Sequence, residues 1–324
     1  MLLESMKNNK NKLKFAIIGF GNMGKIHYKT IEKNGICDIP EIVDINPDAS
    51  KGYENLNIHE DFTLFLDNHI ENLDGAIIST PSSLHLEHAL PFLENKIPLL
   101  IEKPLTSSHD FNQEIIEVAE KNEVLVKCGL IELYNPIVQE LSSKKFENLK
   151  FVHFKRHSPK TSNSRNLENI VLDLTIHDIS ILYKVFKPKD IEILGVDLIC
   201  ENNVAESSQV LLKVDDSFTV FISSSRQDQE KTRKLEIIDE NATYECDLKN
   251  KYYEIKQKGE ISSFDSKSIT ESNILNKVDM LDKPETAEIQ LESFIKSILD
   301  NDTDTNHLEI VKNTHNLAYK ILNS

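Results

Sequence analysis

The chain has 324 residues, 39% of them hydrophobic, with 37 lysines and arginines against 53 aspartates and glutamates, a net charge of −16. That length suits about two domains, with a core large enough to need no disulfide or metal staple. An acidic surface repels phosphate backbones and anionic lipid, which excludes nucleic acid and membranes as main partners but leaves room for a small anionic ligand in a local cationic pocket.

The start, MLLESMKNNKNK, is a polar tail without the apolar stretch of a signal peptide. No apolar run reaches the roughly 18 residues of a spanning helix. A cytoplasmic location is expected. Cys37, Cys128, Cys200 and Cys246 lie far apart and form no CxxC pair, which reads as buried reduced thiols.

From Leu13 to about Cys128 short apolar runs alternate with helical stretches. Phe15–Ile18, Glu41–Asp44, Gly75–Ile78, Leu99–Ile101 and Val124–Val126 read as strands buried on both faces, with crossover helices such as Ser83–Glu94 and Ser108–Asn122 between them. This alternation predicts an α/β Rossmann domain over 1–129, a doubly wound parallel sheet. After Gly129 a helix near Tyr134, a strand at Phe151–Lys155 and an apolar helix over Ile170–Phe186 follow. Strand-like runs at Ile191–Ile199, Val210–Val214, Phe218–Ser223 and Lys234–Ile238 have no long helices between them and should pair antiparallel. Ser262–Ser272 reads as a polar loop, and helices over about Glu285–Leu299 and His307–Leu322 close an α+β domain of 130–324 with a largely antiparallel open sheet.

The run Phe15-Ala-Ile-Ile-Gly-Phe-Gly-Asn-Met-Gly24 places GxGxxG directly after an apolar strand. The chain has only nine glycines, and three of them fall in this motif. Gly19 suits a tight turn, Gly21 a close approach of backbone to pyrophosphate, and Gly24 close helix–strand packing. The backbone N–H groups at the start of the following helix would then face the phosphates, with Phe20, Asn22 and Met23 among the expected cofactor-binding residues. Asp44 ends the second strand about twenty residues on, where its carboxylate can accept ribose hydroxyls and repel a 2′-phosphate. NAD is the expected cofactor. Asp44 also reads as a turn residue before Asn46-Pro47.

Two further islands carry chemistry. Ile101-Glu-Lys-Pro104 ends a strand, and strand ends line the ligand crevice of such sheets. Lys103 there could stabilise an alkoxide. In Val171–Leu182, helical spacing puts Asp173, His177 and Ser180 on one face, bounded by Leu172, Ile176, Ile179 and Leu182. His177 reads either as a satisfied core histidine or as a general base for a hydroxyl proton, with Asp173 orienting it. His85 and His88 lack a third metal-ligand partner at suitable spacing, and no metal is expected.

With these residues in place, the chain resembles the Gfo/Idh/MocA oxidoreductase family over nearly its whole length. Gly19-Phe-Gly-Asn-Met-Gly24, Ser79-Thr-Pro-Ser-Ser-Leu-His85, Glu102-Lys-Pro104 and Asp173-Leu-Thr-Ile-His-Asp178 carry the resemblance in the right order. It implies that Lys103 is catalytic or anchors substrate, that the Lys103–Pro104 bond is cis, and that His177 and Asp173 form the substrate-side pair. It further implies that Ser79, Thr80, Pro81 and His85 line the dinucleotide site, with Glu102 near the nicotinamide. Within the family, Ile131-Glu-Leu-Tyr-Asn-Pro136 and the Leu-Thr-Ile-His-Asp helix motif are similar to UDP-N-acetylglucosamine 3-dehydrogenases, which make a 3-keto sugar for a partner aminotransferase. Leu133 stands where that group has arginine. Asn135, Arg156 and Arg165 are the expected further substrate contacts, the arginines as grips for a diphosphate or carboxylate.

The resemblance implies an NAD-dependent oxidation of the C3 hydroxyl of a UDP-linked N-acetylamino sugar by a homodimer or homotetramer. An NAD-dependent glycoside hydrolase, another sugar or cyclitol dehydrogenase, and a non-catalytic NAD(H)-binding protein stay open as alternatives.

Overall fold

Four-residue and three-residue runs with every side chain apolar can be strands only if both faces are covered. The computed structural model, which describes residues 12–38, 40–53, 56, 58–160, 168–202, 204–257 and 274–324, shows this. Strands β1 (Phe15–Ile18), β4 (Gly75–Ile78) and β5 (Leu99–Ile101) are buried at every position. With β2 (Glu41–Val43), β3 (Ile58–His59) and β6 (Val126–Cys128) they form a six-stranded sheet in the order β3-β2-β1-β4-β5-β6. Every pairing in it is parallel. That order is the doubly wound one, whose reversal between β1 and β4 opens a ligand crevice at the strand ends. The last strand is displaced from the expected Val124–Val126. Its register pairs Leu99 with Val126 and Ile101 with Cys128, and an apolar run does not reveal which of its residues pair.

Helices α1 (Asn22–Asn34), α2 (Phe62–His69), α3 (His85–Glu94) and α4 (His109–Asn122) connect these strands. Ser108 caps α4 by accepting the Phe111 N–H, and Asp61 caps α2 by accepting that of Leu64.

The described residues divide into two compact units, one within Met1–Ile131 and Pro284–Asn316, the other within Glu132–Lys283 and Leu317–Ser324. The C-terminal helices were expected with the second domain, yet residues 284–316 join the first unit. The reason is packing. Leu291, Phe294 and Ile295 of α7 (Thr286–Leu299) share one buried cluster with Phe15, Ile17, Ile31 and Ile77. Phe15 and Phe294 meet at 5.7 Å between ring centroids. A helix's apolar period says that it must cover something, not what. α8 (Thr305–Leu322) follows α7.

In the second unit, β7 (Phe151–His157), β8 (Ile191–Glu201), β9 (Val204–Val214), β10 (Phe218–Ser225), β11 (Thr232–Ile238), β12 (Ala242–Asp247), β13 (Tyr252–Gln257) and β14 (Ile274–Asp279) form an eight-stranded sheet. Its order is β14-β13-β12-β11-β7-β10-β9-β8. The expected antiparallel pairing holds except at one place: β10 pairs β7 in parallel, Thr219 beside Phe151 and Ser225 beside His157. Strand β7 enters the sheet from the helical segments and lies between β10 and β11, so one neighbour must run with it. Alternation along β7 buries Val152, Phe154 and Arg156 on the covered face. On that face lie a short helix α5 (Pro136–Leu141), a π-helical turn (Val171–Thr175) and α6 (Ile176–Phe186), the π turn packing on β9 and β10.

Cys37, Cys128 and Cys246 are buried free thiols, as expected, whereas Cys200 is exposed. The polar tail over residues 1–11 and the loop Ser262–Ser272 lie outside the described residues.

Phe294 is fully buried between β1 and the rest of α7. Phe294→Ala should lower unfolding free energy by about 3–5 kcal/mol, read as a reduced midpoint in urea.

Candidate functional site

The loop between β1 and α1 is shaped by what it touches. Gly19 has φ +92°, and a Cβ there would sit 2.7 Å from the Thr80 amide nitrogen, so an L side chain is both strained and blocked. A Cβ on Gly24 would collide with the Gly19 carbonyl oxygen. Gly21 differs: nothing of the protein lies within 4 Å of a Cβ built on it. Gly21 and Asn22 are exposed at the start of α1, and the helix's first ladder bond runs from Lys25 N to Gly21 O. The amides before it point out of the helix end, where the dipole favours an anion.

Asp44 ties the end of β2 to this loop. Its Oδ2 accepts the Phe20 N–H at 2.6 Å, and its Oδ1 accepts that of Asn46 at 2.8 Å. The turn role and the loop-facing role therefore coexist in one carboxylate. Each oxygen keeps a second lone pair for a further donor. Ser79, at the end of β4, donates its hydroxyl to Gly19 O at 2.7 Å. Thr80 Oγ1 lies 3.0 Å from His88 Nδ1, and Pro81 precedes a 3-10 turn at Ser82–Leu84.

His85 does something other than line a ligand site. It is 1% exposed, with Nε2 2.9 Å from Thr80 O and Nδ1 3.1 Å from both Pro104 O and Leu105 O. It braces the ends of β4 and β5 from beneath. Lys103 is half-buried in that second loop, and the Lys103–Pro104 peptide is cis, as the resemblance implied. Glu102 is buried, its Oε1 2.7 Å from His27 Nε2 and its Oε2 accepting the Lys103 N–H at 3.3 Å. Gly129 leaves the space Glu102 occupies: a Cβ on it would lie 2.7 Å from Glu102 Oε2. His315 of α8 accepts the Leu105 N–H through Nε2 at 2.9 Å, and its Nδ1 donates to Val311 O at 2.8 Å. These links tie together the loops that follow β1, β2, β4 and β5 at one end of the parallel sheet.

In the second unit the π turn changes the expected geometry. Asp173 lies in a wider turn of the π type, and His177 lies in the first turn of α6. The even helical stripe assumed from spacing is therefore interrupted at its start, a feature often found at functional sites. Ser180 leaves the stripe altogether, being fully buried and donating to His177 O at 2.7 Å. Asp173 Oδ2 accepts Arg226 Nη2 at 2.7 Å and Nε at 3.3 Å, and Nη2 also donates to Glu168 O. His177 is 9% exposed.

Two expected substrate contacts are placed elsewhere. Arg156 is 3% exposed and donates through Nε and Nη2 to Asp178 Oδ1 and through Nη1 to Glu132 Oε1 at 2.7–2.9 Å. Burial works against its charge, but Asp178 and then Glu132 outweigh it and hold the guanidinium above its ordinary range. It knots strand β7 to α6 rather than gripping an anion. Asn135, also buried, caps α5 through the Ile137 N–H and donates to Glu132 Oε2 and Leu248 O. Arg165 lies outside the described residues.

Sequence reading missed Arg226, His27, Glu132 and His315. Arg226 is a lone arginine after a serine run, 53 residues from Asp173, and no spacing announces such a pair. A cavity of about 280 Å³ in the second unit lies along Lys155, Lys234, Glu236, Glu245 and Glu254. Those strand positions alternate with the ones that face Arg156 and α6, so it belongs to the other side of the sheet.

Residues 13–130 match the model of the GFO_IDH_MocA group, an oxidoreductase family with an NAD-binding Rossmann fold. The chain is similar to UDP-N-acetylglucosamine 3-dehydrogenase of Acidithiobacillus ferrooxidans, 22% identical over 250 residues, 76% of this chain and 78% of that protein. The solved structure of that dehydrogenase, GnnA, matches with a TM-score of 0.78 at 18% identity, over 96% of this chain and 97% of its own. Levoglucosan dehydrogenase in complex with NADH matches at 0.80 and 13% identity, over 97% and 96%. Among the described residues no helix is long and apolar enough to cross a membrane.

Burial pushes His315 down from an ordinary 6.5 to about 4. The unfolded chain takes up this proton near pH 6.5, so the stabilisation is complete above that pH and is lost as pH falls towards 4. At pH 5 the loss is about 2 kcal/mol. Urea titrations of the protein and of His315→Gln at pH 7 and pH 5 should show the pH-dependent difference shrinking by about that amount in the variant.

Proposed function

The chain belongs to the Gfo/Idh/MocA oxidoreductase family, and on that premise we propose that it uses NAD to oxidise the C3 hydroxyl of a UDP-linked N-acetylamino sugar. The observation that carries the cofactor half is the glycine loop. Gly21 faces open space at a helix N-terminus, and the Asp44 carboxylate is bound to the same loop through the Phe20 N–H. Residues of this kind fit a dinucleotide: amides of Asn22, Met23 and Gly24 for the pyrophosphate, and Asp44 for the adenosine ribose hydroxyls. A 2′-phosphate would meet the Asp44 charge, which favours NAD over NADP. Thr80 and Pro81 border this loop, while Ser79, Glu102 and His85 support the backbone beneath it. NAD, when bound, supplies the hydride acceptor.

The chain's own groups handle the proton and the charge. The Lys103 ammonium steadies the substrate oxygen as it gains negative character. Glu102 accepts the Lys103 N–H and, through His27, fixes the backbone from which that side chain projects. His177 accepts the hydroxyl proton as a neutral imidazole. Asp173, held by Arg226, supplies a carboxylate on the same helix for a substrate hydroxyl or for orienting His177. The sugar and the carbon oxidised are supported by the similarity to UDP-N-acetylglucosamine 3-dehydrogenase and by the Ile131–Pro136 and Asp173–Asp178 segments. A homodimer or homotetramer supplying a keto sugar to an aminotransferase completes the reading.

The test is NADH absorbance with UDP-N-acetylglucosamine, its uronate and free cyclitols. Lys103→Ala and His177→Ala should each lose about a hundredfold or more in kcat while calorimetry still detects NAD binding. Full activity in both variants would refute the roles. Asp44→Ala should weaken NAD binding about tenfold or more and lessen the preference over NADP.

A further inference from the structure

Lys231, Arg233 and Lys249 gather where the second sheet meets the Asp173 helix. Arg233 stands directly across from Arg156 in the β7–β11 ladder, and opposed residues share a face. Leu235 and Ile237, at the same parity along β11, are buried, so Arg233 faces the covered side with Arg156. Two guanidinium groups placed opposite each other repel.

Arg156 has its charge answered by Asp178 and Glu132. Arg233 does not. Its Nη1 donates to the carbonyl oxygens of His157 at 2.6 Å and Thr232 at 2.7 Å, and among the described residues no carboxylate forms an ion pair with it. Lys249 is brought alongside because the Leu248 N–H donates to Arg233 O at 2.9 Å. Lys231 precedes β11 by one residue and is exposed, as is Lys249. Among the described residues neither lysine forms an ion pair.

The three cations feel one another. Burial, then Arg156, lowers Arg233 to about 10, while Asp178, Glu132 and Asp173 pull the other way. Partial desolvation of the otherwise exposed Lys231, then Arg233 and Lys249, lowers it. Arg233 lies across from Arg156, whose partner Asp178 stands in the first turn of α6, so the guanidinium sits on the α6 side of the sheet. In a chain with a net charge of −16, carboxylates are plentiful, yet among the described residues none forms an ion pair with this group. A bound anion would.

We propose that Lys231, Arg233 and Lys249 form a phosphate-binding subsite that holds the phosphate-bearing part of the sugar substrate. The inference rests on reading the chain as a sugar dehydrogenase and transfers to this group the anion-gripping role first expected of Arg156. A guanidinium fork can take two phosphate oxygens at once, and the lysines act as adjustable point charges. The phosphate can be the diphosphate of a nucleotide sugar or the monoester of a sugar phosphate.

Kinetics of the full chain with UDP-N-acetylglucosamine, glucose 6-phosphate and neutral myo-inositol test this in Arg233→Gln, Lys231→Gln and Lys249→Gln. Arg233→Gln should raise KM for a phosphate-bearing substrate about tenfold with kcat largely kept, and each lysine variant severalfold. The ratio of kcat/KM for that substrate to that for inositol should fall in step. A rise confined to the nucleotide sugar identifies the diphosphate as the occupant, and one confined to glucose 6-phosphate the monoester. Equal losses with inositol, or unchanged KM for both phosphate substrates in all three variants, would overturn the subsite. If no sugar is oxidised, the dehydrogenase reading fails first, and calorimetric titration with inorganic pyrophosphate decides the subsite separately. Weaker binding in the variants supports it, while equal binding, or none in the unsubstituted protein, overturns it. The lysine variants change only exposed side chains, so the test survives if Arg233→Gln misfolds.

Discussion

The close approach of Gly24 to the Gly19 carbonyl, with Asp44 holding the Phe20 amide, is the contact on which the first unit's chemistry depends. It presses the start of α1 against the ends of β1 and β4 and leaves Gly21 facing open space at the helix end. Ser79 then pins the loop from the β4 side through Gly19 O.

A second level of support lies under the Lys103–Pro104 turn and the π turn. His85, His315 and the Glu102–His27 pair meet the backbone around the cis Lys103–Pro104 peptide from three directions. In the other unit, Arg156 binds β7 to α6 through Asp178, and Arg226 binds the end of β10 to the π turn through Asp173. Buried polar groups must find partners, and here the partners are spent on holding loops and helices in place. The supporting polar residues are therefore more buried than the residues they support: His85 and Arg156 are nearly inaccessible, whereas Lys103 and Asp173 are half-exposed.

Much of the fold was legible along the chain. Runs such as Phe15–Ile18 and Gly75–Ile78 announce strands covered on both faces, and the segment from Ser108 announces a crossover helix. Less legible was anything settled by register or by distant packing. The parallel pairing of β7 with β10, the shift of the last Rossmann strand and the attachment of α7 to the first unit each depend on contacts over long sequence separations. The π turn at Val171–Thr175 falls in the same class: its residues have the pattern of an ordinary apolar helix, and its packing on β9 and β10 has no local signature.

Residue type and motif order mark out the glycine loop, Asp44, Lys103 and the Asp173–His177 segment as the candidate site, because such chemistry imposes local spacing that a chain must carry openly. Tertiary structure alone decided which polar residues are spent internally. Arg156 and Asn135 have side chains suited to ligands, but their burial among carboxylates and carbonyls commits them to the scaffold, while Arg226 and Arg233 acquire their significance from neighbours on other strands. A side chain's donors and charge are written in the sequence; what they are left free to meet depends on which distant groups the fold brings within about 3 Å.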